Sequence, residues 1–187
     1  MAVCHIICEI VDESILTRAD SGFPEPKGKV VALGDLLKLR PVWEATHQTL
    51  VWTNGCFDLL HIGHVRNLQQ ARALGDVLVV GINSDSSVRS LKGAGRPFVP
   101  EMERAEIVAA LNCVDKVVVF NDLTPEAVIS ALKPDIHCKG ADYSGSDGKP
   151  MPESDIVKGY GGKVQLLPIE PGRSTTELIT RIARASS

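Results

Sequence analysis

The chain has 187 residues, 44% hydrophobic and 23% charged, which fits one well-cored globular domain and excludes an intrinsically disordered chain. Its formal net charge of −3 comes without a long basic run, so a nucleic-acid backbone is not the expected partner. No stretch of about 20 apolar residues offers a membrane span, and an aromatic content of only 4% leaves an aliphatic core of the kind found in parallel strands under helices.

Residues 1–28 have no clear period and end in Ser21-Gly22-Phe23-Pro24-Glu25-Pro26-Lys27-Gly28, whose Pro, Gly and charge read as a linker or surface loop. They are taken as an N-terminal extension, with one domain over residues 29–187. The first ten residues lack a basic region, and Glu9 interrupts their apolar run, so no secretory signal is expected and the location is cytoplasmic. The odd set Cys4, Cys8, Cys56, Cys113 and Cys138 then reads as reduced thiols. Cys4, His5 and Cys8 lack a second ligand pair at zinc-site spacing, and no protein-bound metal is expected.

Gly34 to Arg40 predicts a brief helix that stops before Pro41. Thr49–Thr53 reads as a short strand. Val65, Leu68, Ala71 and Leu74 recur at helical spacing, with Gly75 where a helix would end. Val77–Ile82 is an unbroken apolar run, as in a strand buried on both faces. Glu101–Asn112 predicts an amphipathic helix opened by Pro100, with Ile107, Val108 and Leu111 facing inward. Val117–Phe120 is a further strand. Thr124-Pro125-Glu126 opens a helix with a capping residue and Pro at its first position. Asp135–Lys139 and Lys163–Pro168 are the last strands, and Ser174-Thr175-Thr176-Glu177 opens the final helix as a capping box. Strands and helices alternate about five times. That predicts an α/β fold, a doubly wound five-stranded parallel sheet, with chemistry in the loops beyond the strand carboxyl ends.

Three such loops carry unusual polar content. The first is Thr53-Asn54-Gly55-Cys56-Phe57-Asp58-Leu59-Leu60-His61-Ile62-Gly63-His64. It runs from strand to helix, where free N–H groups and the positive dipole end attract phosphate. His61 and His64 flank Gly63, which permits close backbone approach. Two imidazoles here can donate to phosphoryl oxygens without acting as nucleophiles. The competing reading is a pair of surface or capping histidines. Asp58 is placed as a loop-shaping residue bordering the substrate. The second loop, Leu91-Lys92-Gly93-Ala94-Gly95-Arg96-Pro97, reads by composition as a flexible basic surface loop, and Arg104 as a solvated helix residue. The third region pairs Lys139 and Asp142, near a strand end and able to reach an anion, with Ser174, Thr175 and Thr176 at a helix N-terminus.

The first loop closely resembles the signature of the cytidylyltransferase-like superfamily of nucleotidyltransferases, and the resemblance runs over about residues 50–185. Class I aminoacyl-tRNA synthetases share the His-Ile-Gly-His core, but they need a longer chain and a lysine-rich second signature absent here. Within the superfamily the Lys92–Pro97 element is similar to that of the adenylyltransferases of ADP-heptose synthesis. The resemblance implies a Rossmann-like nucleotidyltransferase fold and transfer of AMP from ATP, with Mg2+, to heptose 1-phosphate. It implies Thr53, Asn54, Gly55, Phe57 and Gly63 as the nucleotide cradle, with Ser174, Thr175 and Thr176 on the nucleotide. It implies that His61 and His64 stabilise transition-state charge, that Lys92 and Arg104 hold the triphosphate, and that Lys139 and Asp142 face the sugar phosphate or the metal. A homodimer is implied at the same level. Glycerol-phosphate cytidylyltransferases carry an arginine where this sequence has Ile169, which favours the heptose enzymes. The rivals are a cytidylyltransferase for glycerol phosphate or a related alcohol phosphate, and a non-catalytic nucleotide-binding regulator.

Overall fold

The apolar run after Gly75 forms a strand, Val77–Asn83, buried at all seven residues. A strand covered on both faces requires helices on both sides of its sheet. The structure, a computed structural model, describes residues 26–141, 151–168 and 174–185. In chain order the elements are α1 (Pro26–Lys29), α2 (Leu33–Ala45), β1 (Leu50–Gly55), α3 (Ile62–Arg72), β2 (Val77–Asn83), α4 (Asp85–Lys92) and α5 (Glu101–Ala109). There follow β3 (Lys116–Phe120), α6 (Glu126–Leu132), β4 (Ile136–Gly140), α7 (Glu153–Gly159), β5 (Lys163–Leu167) and α8 (Thr175–Ala185).

Every strand pairing is parallel, and the sheet order is β3-β2-β1-β4-β5. The expected doubly wound, Rossmann-like sheet is present. The chain builds outward from β1 to β3, then returns to the far side of β1 for β4 and β5. Strand order therefore reverses between β1 and β4, and the carboxyl ends of those strands border the crevice where such sheets bind ligands.

The alternation of side chains divides the core into two layers. Leu68 and Ala71 of α3 and Ala105 and Val108 of α5 pack on Val51, Leu78, Val80 and Cys138. Leu36 and Trp43 of α2, Val128, Ile129 and Leu132 of α6 and Val157 of α7 pack on Leu50, Trp52, Val79 and Phe120. Gly81 is required by the second layer's largest side chain, because a Cβ there would sit 2.4 Å from the Trp52 ring. The opposite, amino-terminal edge is tied by aspartates. Asp76, Asp135 and Asp115 accept from the backbone N–H groups of Thr49, Leu50 and Leu78 at 2.8, 2.7 and 2.7 Å.

Several local expectations are corrected. Helix α2 does not stop before Pro41 but runs through it to Ala45, because buried Trp43 anchors the last turn in the core and Thr46 Oγ1 caps the Val42 carbonyl at 2.8 Å. Gly75 lies beyond the end of α3. It is needed for close packing, since a Cβ would meet the Thr49 carbonyl at 2.7 Å. On α5 the buried stripe is Arg104, Ala105, Val108 and Ala109, while Ile107 is 45% exposed. Pro125 occupies the N-cap of α6 rather than its first position, and the Thr124 hydroxyl donates to Glu126 Oε2. Residues 26–28 lie within or beside α1. Val30 bridges to Val117, so the chain joins the outer edge of β3 from there.

Candidate active site at the histidine turn

The end of β1 is fastened to β4 before the loop begins: Thr53 Oγ1 donates to the Cys138 carbonyl at 3.1 Å. Gly55 leaves room for the Phe57 ring, which a Cβ would meet at 3.1 Å. Phe57 itself takes a left-handed conformation, φ 48°, which few non-glycine residues adopt. That turn sends the Phe57 ring against His64, centroids 5.2 Å apart.

His61 is the N-cap of α3, and Gly63 and His64 follow in its first turn. The His61 backbone N–H donates to His64 Nδ1 at 3.3 Å, and the two rings stack with centroids 3.8 Å apart and planes 26° apart. Because Nδ1 of His64 accepts, the proton of its neutral ring lies on Nε2. Burial pushes His64 down to about 4, and the neighbouring His61 adds to the effect. Burial also lowers His61, with the Glu177 carboxylate pulling it back up. Both rings are therefore neutral at pH 7, each able to donate a hydrogen bond without carrying charge. The capping half of the competing reading holds, since His61 is the N-cap of α3 and the His64 ring at N3 accepts from its backbone N–H; both rings are partly buried. Asn54 Oδ1 and His61 Nδ1 are buried without a hydrogen-bond partner among the described residues. Buried polar atoms are rarely left so, and a ligand over this turn would satisfy them.

The Lys92–Pro97 segment folds onto the same turn. Asp58, 3% exposed, accepts from Phe98 N–H at 2.7 Å, from Val99 N–H at 3.1 Å and from Arg96 Nε. Its carboxylate is occupied in shaping the loop, as expected for one of its two roles; the expected place against substrate is corrected. Arg96 lies over the Phe98 ring at 4.9 Å, and its peptide bond to Pro97 is cis. Lys92, the last residue of α4, is exposed. Its charge reaches Cys56: burial raises that thiol, while Lys92, Arg104 and Arg96 each pull it down. Lys92 is thus an exposed cation within electrostatic reach of Cys56, at the start of the loop that folds onto the histidine turn.

Arg104 corrects two expectations. It is not solvated but fully buried, and in this structure its guanidinium holds protein groups rather than open space. Nε donates to the Val99 carbonyl at 2.9 Å, one terminal nitrogen to the Cys56 carbonyl, and the other to Asp85 Oδ1 at 2.7 Å. It braces the histidine turn, the Lys92 loop and the start of α4 from behind.

Lys139 lies at the end of β4, 7% exposed, with Nζ 3.0 Å from Glu153 Oε1. Lys139, expected to reach an anionic substrate, thus also has a carboxylate partner inside the protein. His137 Nε2 shares the same oxygen at 3.3 Å. Sequence reading missed Glu153 and His137. The one available signal was the alternation that puts His137 and Lys139 on one face of β4. Asp142 lies outside the described residues, as do Cys4, His5, Cys8, Ile169 and Arg173. The predicted capping box at α8 is present: Ser174 Oγ accepts from Glu177 N–H at 3.1 Å, and Ser174 N–H donates to Glu177 Oε2 at 3.0 Å. Through Glu177 the first turn of α8, with Thr175 and Thr176, comes within electrostatic reach of His61.

Among the described residues no group of three His, Cys, Asp or Glu side chains gathers as a metal cage, and no helix is long and apolar enough to cross a membrane. A polar cleft of about 490 Å³, lined in part by Arg40, Asp135, Tyr160 and Lys163, opens at the amino-terminal pole of the sheet, away from the histidine turn. The histidine turn lies at the opposite, carboxyl-terminal pole of the strands, where such sheets bind ligands.

Residues 52–181 match the family model described as cytidylyltransferase-like. The chain is 53% identical over 147 residues to the bifunctional protein HldE of Syntrophotalea carbinolica, covering 77% of this chain and 29% of that protein. It is 50% identical over 159 residues to HldE of Geobacter metallireducens, covering 84% and 31%. The chain thus spans about a third of the length of these curated relatives. Among solved structures it is similar to the lipopolysaccharide core biosynthesis protein of Thermoplasma volcanium, with TM-score 0.53 and 28% identity over 66% of this chain and 97% of that one. A pantoate-beta-alanine ligase from Francisella tularensis, 14% identical with TM-score 0.56 over 79% of this chain and 68% of that one, shares the fold. With the histidine turn, its loop and the sheet order all in place, the chain belongs to the cytidylyltransferase-like family of nucleotidyltransferases.

Proposed function

We propose that the chain transfers AMP from ATP to a sugar 1-phosphate, with D-glycero-beta-D-manno-heptose 1-phosphate as acceptor, giving ADP-heptose and pyrophosphate. The observation that carries the reading is the stacked, neutral pair His61 and His64 at the N-terminus of α3, beside the β1/β4 reversal of the sheet. The choice of adenylyl transfer and heptose is supported by the Lys92-Gly93-Ala94-Gly95-Arg96-Pro97 element, by Ile169 in place of the cytidylyl arginine, and by the similarity to the bifunctional HldE proteins.

A phosphate oxygen of the acceptor attacks the α-phosphorus of ATP. A new phosphorus–oxygen bond forms as the bond to pyrophosphate breaks, and the anionic nucleophile has no proton to shed. Charge grows on the oxygens of the five-coordinate α-phosphorus. Preorganised donors aimed at that charge are the main catalytic lever in phosphoryl chemistry. His64 Nε2–H and the His61 ring supply them, the free N–H groups at the start of α3 add to them, and Lys92 neutralises the departing pyrophosphate. Thr53, Asn54, Gly55, Phe57 and Gly63 form the cradle that the nucleotide occupies, with Ser174, Thr175 and Thr176 closing its other side. Lys139 and Asp142 face the sugar phosphate. Mg2+ bound to the triphosphate would supply charge neutralisation there while keeping much of its water. Small molecules, not nucleic acid, are the partners; a cytoplasmic homodimer completes the reading.

Pyrophosphate release measured with ATP and CTP against heptose 1-phosphate and glycerol 3-phosphate tests the proposal. ATP with heptose 1-phosphate should give the highest kcat/KM. Leaving one or two buried polar groups unpaired by the wrong base costs about 1–3 kcal/mol each, so a preference of ten-fold or more is expected. A CTP preference would move the chain to the alcohol-phosphate branch. No turnover with any pair would leave a nucleotide-binding regulator.

A further inference from the structure

Three titratable side chains meet inside the protein between β4 and α7. Glu153, Lys139 and His137 are 2%, 7% and 0% exposed. Glu153 Oε1 lies 3.0 Å from Lys139 Nζ and 3.3 Å from His137 Nε2. Burial by itself raises the Glu153 carboxyl, but the hydrogen bond from His137 and the charge of Lys139 outweigh it and hold the group down to about 2. Burial lowers His137, which stays neutral and donates Nε2–H. The cluster is therefore one carboxylate, one ammonium and one neutral imidazole.

Its position matters because of strand register. Thr53 pairs with Cys138, so Asn54 and Lys139, the next residue on each strand, leave the same face of neighbouring strands at the point where strand order reverses. Asn54 Oδ1 is buried there without a partner among the described residues. Glu153 is the first residue of α7 and holds Lys139 at that edge from below.

We propose that Glu153 is a positioning residue for acceptor binding: it fixes the Lys139 ammonium at the β1/β4 crevice, where that ammonium receives the phosphate of the acceptor. This rests on the function proposed above. A lysine stem is long and flexible and carries about 2 kcal/mol of rotamer entropy. A tether removes that freedom before the acceptor arrives. Without Glu153 the ammonium loses a buried carboxylate 3.0 Å away, and the stem is freer to leave the crevice. His137, donating to the same oxygen, sets the carboxylate's orientation.

Steady-state kinetics of the full chain with ATP and heptose 1-phosphate test this. Glu153→Gln keeps an acceptor for His137 and nearly the same shape. It should raise the acceptor KM about ten-fold or more, each ten-fold being about 1.4 kcal/mol, while the ATP KM stays within about two-fold. Lys139→Met should give the same split, and K139M/E153Q should be no worse for the acceptor than Lys139→Met alone. The double variant also serves if Glu153→Gln fails to fold, because removing both members of a buried ion pair is far better tolerated than removing one. A lower acceptor KM in Glu153→Gln would mean that Glu153 competes with the acceptor, and would overturn the inference. So would equal rises in both KM values, or additive losses in the double variant. Wild-type turnover with an unchanged acceptor KM in Glu153→Gln sinks this inference alone. Absence of turnover by the wild-type chain removes the proposed function and this inference with it.

Discussion

His61 and His64 lie face to face, ring centroids 3.8 Å apart, with the backbone N–H of the first bonded to Nδ1 of the second. Two imidazoles this close would repel if both were charged. Their environment keeps them neutral, and the hydrogen bond selects the tautomer that presents Nε2–H of His64. In the proposed reaction the pair would serve as donors fixed before any substrate arrives.

His61→Ala and His64→Ala should each lower kcat by about 10²–10³, the usual loss for one preorganised donor to transition-state charge. ATP affinity by calorimetry should change little. Near-normal turnover with a collapse of ATP affinity would assign the altered residue to ground-state binding instead.

The pH dependence follows from the direction of the shifts. His64 titrates near 4 in the folded protein and near its ordinary 6.5 when unfolded. The unfolded chain then binds more protons between those values, so stability is fully present above 6.5 and is lost as pH falls toward 4, by roughly 3 kcal/mol from this group. Glu153 acts lower down: held at about 2, its contribution is present above 4.5 and lost as pH falls toward 2. Urea unfolding at pH 7, 5.5 and 4.5 should show the loss, and His64→Gln should flatten it over the upper window. For the same reason kcat should show no break from His64 between pH 5.5 and 8. An inflection near 6.5 that vanishes in His64→Gln would contradict the neutral-donor role.

Arg104→Met should destabilise the fold by about 3 kcal/mol, since it strands one carboxylate and two carbonyls that a buried guanidinium now satisfies. Arg104→Lys should rescue little, because one ammonium cannot reach Val99, Cys56 and Asp85 together. Thermal melts check this. A variant with wild-type Tm but failed ATP binding would return Arg104 to direct phosphate contact.

Gly81→Ala should cost about 1–3 kcal/mol through overpacking, as the new Cβ would fall 2.4 Å from the Trp52 ring and 3.1 Å from Phe120. The urea midpoint reports it, and Trp52 fluorescence should shift as the ring moves. An unchanged midpoint would mean that the ring has room to retreat.

The alternation of strands and helices, the parallel sheet, the histidine turn and the Ser174–Glu177 box were legible in the sequence because each depends on neighbouring residues. A period of two or 3.6, a strand-to-helix turn and a cap are all written within a few positions. What only the tertiary structure decided were the partners of polar groups far apart in the chain. Arg104 meets Cys56 across 48 positions and Asp58 meets Arg96 across 38, so a residue that looks solvated becomes the buried brace of the site. Lys139 reads from sequence as a lysine open to an anion, and the docking of α7 on β4 gives it Glu153. Helix α2 continues past Pro41 for the same reason: local chemistry favours a stop, and the burial of Trp43 in the folded core outweighs it. Local rules locate the elements, whereas burial, which depends on what the whole sheet packs against each side chain, decides which charges face substrate and which hold the site together.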